Sequence, residues 1–139
     1  LGLVPVAEIH RQGLPVLPGT CISSDGPVRS ILLISRKPWA QVQTLSADWN
    51  SRTSVVLAQI ILKERFGARP TVSAQAPSLE AMLAEADAAL LIGDAALQVD
   101  PVTLPYAVLD LGEEWQRLTG LPMVFAAWAG PAALQSPWL

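Results

Sequence analysis

The chain has 139 residues, 51% of them apolar and 15% charged, with a net charge of −3. That is enough for one domain of ordinary size with a real core. With no basic stripe, no nucleic-acid partner is expected, and no apolar run has the length of a membrane span. Cys21 and His10 each stand alone, so neither an intrachain disulfide nor a metal site built on several Cys or His ligands is expected within the chain.

The opening "LGLVPVAEIH" reads as the end of a strand followed by a short helix over 5–11, with Pro5 tolerated in the first turn because its missing N–H costs nothing there. It has no initiator Met, no basic leader and no signal-peptide layout. "LPVLPG" is a turn-rich connector. "TCISS" and "VRSILLISR" read as strands around the turn "DGP", and "VQTLSA" as another. Residues 51–66 form the strongest helix. Val55, Leu57, Ile60, Ile61, Leu62 and Phe66 give it a broad apolar face, and Gly67 with Pro70 ends it. "TVSAQ" is a strand and "SLEAMLAEA" a helix with Ser78 as its N-cap.

"DAALLIG" is a short apolar run without alternation, the mark of a strand in a parallel sheet covered on both faces. "YAVLDLG" is a strand, "EEWQRLTG" a helix ended by Gly120, and "PMVFAAWAG" a last strand. Alternating strands and helices predict an α/β fold, and ligands of such sheets bind beyond the carboxyl ends of strands, near helix N-termini.

Three polar stretches are candidates, of which the first and third fall at such positions. The first is "NSRTS", residues 50–54, at the start of the strongest helix. Free N–H groups and the helix dipole favour an anion there, the hydroxyls of Ser51, Thr53 and Ser54 add donors, and Arg52 suits a carboxylate. The plainer reading is that Asn50 or Ser51 caps the helix and Arg52 is solvated. The second cluster is "SSDGPVRS", residues 23–30. Ser23, Ser24 and Ser30 beside the tight turn at Gly26 either face a cleft or belong to a hairpin-like connector. The third is Asp94, just after the buried strand and Gly93, which is either a reacting carboxylate or the N-cap of a helix beginning at Ala95.

The succession "ISSDGPVRSILLISR", "LSADWNSRTSVVLAQIILKERFG", "DAALLIGDAAL" and "DLGEEWQRLTGLPMVFAAWA" resembles chorismate dehydratase of the futalosine route to menaquinone. The sister enzyme of that route, which processes a dehypoxanthine futalosine, carries a His-containing stretch where this chain reads "IGDAAL". The resemblance implies the two-lobe α/β fold of type II periplasmic solute-binding proteins, here as a partial chain, with residues expected before Leu1 and after Leu139. Residues 1–27 would be the tail of the first lobe. Residues 28–130 would hold the crossing strands, "VRSILLISR" and "PMVFAAWA", and the second lobe. Residues 131–139 would begin the return segment.

The resemblance further implies a cytoplasmic hydro-lyase without cofactor, acting on chorismate, a small dicarboxylate. Ser51, Arg52, Thr53 and Ser54 would bind one carboxylate. Ser24, Gly26 and Ser30 would line the opposite wall, and Asp94 would act as acid/base or orienting group. A non-catalytic solute-binding protein for a small carboxylate would use the same cleft.

Overall fold

The computed structural model describes residues 1–131. The return segment expected over 131–139 therefore lies almost wholly outside the described residues. The described part is a mixed α/β structure with two sheets. Strand β1 (Gly2–Pro5) leads directly into helix α1 (Val6–Gln12). β2 (Val16–Ser24) and β8 (Met123–Ala129) complete a three-stranded antiparallel sheet in the order β1-β8-β2. Much of the connector "LPVLPG" belongs to β2, because Val16 pairs with Ala129 before the register shifts toward Cys21.

The second sheet has five strands in the order β5-β4-β6-β3-β7, formed by β3 (Ile31–Ser35), β4 (Thr44–Asp48), β5 (Thr71–Gln75), β6 (Ala88–Ile92) and β7 (Ala107–Asp110). The apolar run in "DAALLIG" indeed marks a strand covered on both faces, and β3 is covered in the same way. Ile31 and Leu33 join one core with Leu57, Ala58, Ile61 and Leu62, whereas Leu32 and Ile34 join another with Met82, Leu83 and Ala96. The sheet is not wholly parallel. β4 runs parallel to β5 and β6, but β3 lies antiparallel to both β6 and β7. Apolarity reports burial and not strand direction, so the sequence pattern could not separate the two. Nor do β2 and β3 form a hairpin around "DGP", since they belong to different sheets.

Helix α2 (Thr53–Phe66) covers one face of the large sheet. Its buried positions, Thr53, Ser54, Leu57, Ala58, Ile61 and Leu62, repeat every three to four residues, and each large one contributes about 1.5–3 kcal/mol through burial. Ile60, expected in the core, is partly exposed on the flank instead. Gly67 takes a left-handed φ of 69° and donates to the Lys63 carbonyl, closing the helix with an αL cap, while Ala68 donates to the Leu62 carbonyl. α5 (Leu111–Thr119) packs beside α2. There the carboxylate of Glu114, 1% exposed, is paired with Arg65 of α2 and Arg117 of its own helix. α3 (Leu79–Glu85) and α4 (Gly93–Leu97) cover the other face. Ser78 is the N-cap residue of α3, but its side chain makes no capping bond.

Candidate functional site

The turn before α2 is built by Asp48 at the end of β4. Its buried carboxylate accepts the Asn50 N–H at 2.9 Å, and its carbonyl accepts the Ser51 N–H at 2.8 Å. This Asx turn delivers the chain to the helix start. The N-cap position falls on Arg52, and no side chain caps the helix there, so capping by Asn50 or Ser51 is not what the polar cluster does. Ser51 and Ser54 are buried while Arg52 is exposed.

Thr53 is committed differently. Its hydroxyl accepts the Ala7 N–H of α1 and donates to the Phe125 carbonyl of β8, both at 3.2 Å. It ties the start of α2 to the three-stranded sheet and its helix.

Between these elements lies a cleft of about 440 Å³. Ser30, Asn50, Ser51, Arg52, Thr53, Ser54 and Gly93 line it, with Pro5, Ile22, Ile31, Ile92 and Phe125 as apolar walls. Ser30, Ser51, Arg52, Thr53 and Ser54 are thus brought together although they come from two separate segments. Asp94 is not in the lining but follows Gly93 directly. It is the second residue of α4 and exposed, and the helix N-cap is Ile92, so Asp94 is not the cap of a helix starting at Ala95.

Ser24 and Gly26 stand elsewhere. The Ser24 hydroxyl donates to the Gly26 carbonyl at 3.1 Å, and this turn sits on Gly112 at the start of α5. A Cβ on Gly112 would lie 2.5 Å from the Gly26 oxygen and 2.8 Å from Ser24 Oγ.

One cleft hydroxyl has no structural employment. Ser51 is 9% exposed, and its Oγ is buried without a hydrogen-bond partner among the described residues. A buried hydroxyl is ordinarily paired, and this unpaired one belongs to a residue that lines the cleft. Arg52 supplies a cation at the rim. Its charge also reaches α1, where it adds a small pull to the bonds from Arg11 and Gln12 that hold the Glu8 carboxyl below its ordinary range. The start of α2, the free Ser51 hydroxyl and the Arg52 guanidinium together form a pocket suited to a carboxylate on an otherwise apolar molecule.

Several supporting residues went unrecognised in the sequence. Asp110 ends β7 and caps α5. Its carboxylate accepts the N–H groups of Gly112 and Glu113, and also those of Val28 and Arg29 from the segment leading to Ser30. The helix therefore starts at Leu111, two residues before the expected start. An aspartate three residues before a glutamate, as in "DLGE", is a capping signal that could have located this start. Asp87 accepts the Gln43 and Thr44 N–H groups and pairs with Lys37 at 2.9 Å.

No helix of the described residues is long and apolar enough to cross a membrane. A family model described as menaquinone biosynthesis matches residues 1–136, nearly the whole chain, in agreement with the resemblance carried by its motifs. The chain belongs to the menaquinone biosynthesis family.

Proposed function

We propose that the chain carries the substrate cleft of a chorismate dehydratase, a cytoplasmic hydro-lyase of menaquinone biosynthesis. The observation that carries this reading is the convergence of Ser30, the unpartnered Ser51 hydroxyl, Arg52 and the start of α2 on one cleft with apolar walls. Chorismate has the matching chemistry, a six-carbon ring that carries one carboxylate directly and a second on its enolpyruvyl ether. On this reading the two sheets belong to the two lobes of a periplasmic-binding-protein-like fold, with the cleft at their junction.

The reaction removes the C3 proton and the C4 hydroxyl. A base takes the proton, the C–H electron pair becomes the new ring double bond, and the C4–O bond breaks with its electron pair on oxygen, which takes up the proton from the protonated base and leaves as water. The product is 3-[(1-carboxyvinyl)oxy]benzoate. Aromatisation drives the step, so positioning is the protein's main task. Ser51, Arg52 and Ser54 hold a carboxylate at the α2 terminus, and Ser30 faces them. Asp94, beside the cleft on α4, is the protein's nearest proposed acid/base or orienting group, and a carboxylate of the substrate is the other base within the reaction. Ser24 and Gly26 act through the turn they hold against α5.

The test is to incubate chorismate with the protein expressed from its complete reading frame and follow products by mass. Loss of one water supports the dehydratase. Chorismate bound and recovered intact points instead to a solute-binding protein for a small carboxylate.

A further inference from the structure

Among the described residues, Arg29 is the one non-glycine with a positive φ, 66°. Ser30 N–H donates to the Val28 carbonyl at 2.8 Å, so Arg29 is the centre of a γ-turn of the rare, strained hand. Such strain persists only where surrounding contacts impose it. On the backbone side, Asp110 accepts the Arg29 N–H at 2.7 Å. On the side-chain side, the guanidinium crosses to α4, donating to the Ala96 carbonyl at 2.9 Å and to the Val99 carbonyl. The first is at the carboxyl end of that short helix, where a cation is favoured, and the second lies two residues beyond it. The neighbouring Ser30 carbonyl accepts the Gly93 N–H at 2.8 Å, at the helix's other end.

From this geometry we infer that Arg29 is a positioning residue: with Ser30 it grips α4 at both ends and fixes Gly93 and Asp94 against the cleft. The two-ended grip explains why a bulky residue is kept in a conformation that glycine adopts freely. A five-residue helix makes too few internal bonds to hold its own place, so its position depends on such outside contacts. The cleft's relevance to chorismate rests on the function proposed above, but the grip itself does not.

Two substitutions separate the backbone from the guanidinium. Arg29→Gly relieves the strained φ and keeps the N–H to Asp110, but removes the fork from α4. Arg29→Lys keeps a cation near the helix end without the fork. Both are compared with the wild-type protein, expressed from its complete reading frame, by amide hydrogen exchange, thermal melting and chorismate turnover. In Arg29→Gly we expect exchange over residues 93–99 to quicken about tenfold or more while β3 and β6 keep their protection. The melting temperature holds, and kcat falls about tenfold with KM little changed, because the carboxylate clamp on α2 is untouched. Arg29→Lys falls between. Exchange in α4 equal to wild type overturns the inference, as does a loss of activity that merely follows the unfolded fraction. If wild-type protein leaves chorismate unchanged, the dehydratase reading fails, and exchange at α4 still decides whether Arg29 holds that helix.

Discussion

Thr53 Oγ1 lies 3.2 Å from the Phe125 carbonyl and joins the start of α2, which covers the five-stranded sheet, to β8 of the three-stranded one. The same oxygen accepts the Ala7 N–H. Thr53→Ala therefore leaves both backbone groups without this partner and is expected to cost about 1–3 kcal/mol. Thr53→Ser keeps the hydroxyl and should recover most of that loss. Urea melts of both variants check the expectation, and equal stability of wild type and Thr53→Ala would show the bridge to be dispensable.

Asp110 is a stronger case because one carboxylate organises two segments distant in sequence. Removing it as Asp110→Ala uncaps α5 and frees the Val28–Arg29 turn, with an expected loss of about 2–4 kcal/mol from a lost cap and lost charge-assisted bonds together. Asp110→Asn keeps one acceptor oxygen and should fall between. Circular dichroism melts measure this, and a loss no larger than that of an ordinary surface substitution would count against the double role.

Gly112→Ala probes the same corner sterically. The new Cβ would meet the Gly26 carbonyl and the Ser24 hydroxyl below van der Waals distance, and the backbone at Gly26 cannot yield as a flexible side chain would. Overpacking of this kind costs about 1–3 kcal/mol. A second change, Ser24→Ala, removes one of the two close atoms and leaves the other, so it should restore only part of the stability. Full restoration would place the clash on the hydroxyl alone.

Much of this architecture was legible from residue pattern, and the remainder was not for identifiable reasons. The helix at 53–66, its Gly67 end, the strand at 31–35 and the doubly covered strand at 88–92 follow from periodicity and apolar runs, which burial dictates directly. The antiparallel placement of β3 and the three-stranded sheet of β1, β2 and β8 depend on pairings between distant segments, to which local pattern is blind. The polar turn at 50–54 stood out as a candidate site by composition. Which of its residues are free was not legible: Thr53 is taken up by Ala7 and Phe125, and Ser51 is left over, a division made only by tertiary contact. Arg29 falls inside "VRSILLISR", which reads as a strand, and its role was not legible because its partners, the Ala96 carbonyl of α4 and the Val99 carbonyl just beyond it, lie some seventy residues away.

Acid should find the Asp87 corner first. The hydrogen bond from Lys37, then the Gln43 N–H, hold its carboxyl down to about 2, against the opposing effect of burial. A carboxyl held below its unfolded value contributes stability above that value and loses it as pH falls, so the loss runs from roughly pH 5 down to pH 2. Because Lys37 is half exposed, its share is modest, and the whole contribution is about 1–2 kcal/mol at neutral pH. Stability measured against pH should fall less steeply over that window in Lys37→Ala than in wild type, and less steeply still in Asp87→Asn. Parallel curves for all three proteins would remove Asp87 from the account.

Ser51→Ala separates a ligand-binding hydroxyl from a structural one. A buried hydroxyl without a partner costs the fold its desolvation, so replacing it with a methyl should leave stability unchanged or raise it by up to about 1 kcal/mol. That is opposite in sign to the Thr53→Ala result, although the two residues are neighbours on the same turn. If Ser51 donates to a substrate carboxylate, the variant should bind chorismate about tenfold more weakly, the worth of one hydrogen bond to a charged group. Where the bond is equally strong in ground and transition states, KM rises and kcat stays; where it tightens during elimination, kcat falls as well. Arg52→Ala should act in the same direction with a similar size, being exposed at the rim and without a packing role to lose. Calorimetric titration of chorismate into each variant, beside its melting curve, supplies both axes. Weaker binding at undiminished stability marks the α2 terminus as the carboxylate site, whereas unchanged binding in both variants would move that site out of this cleft wall.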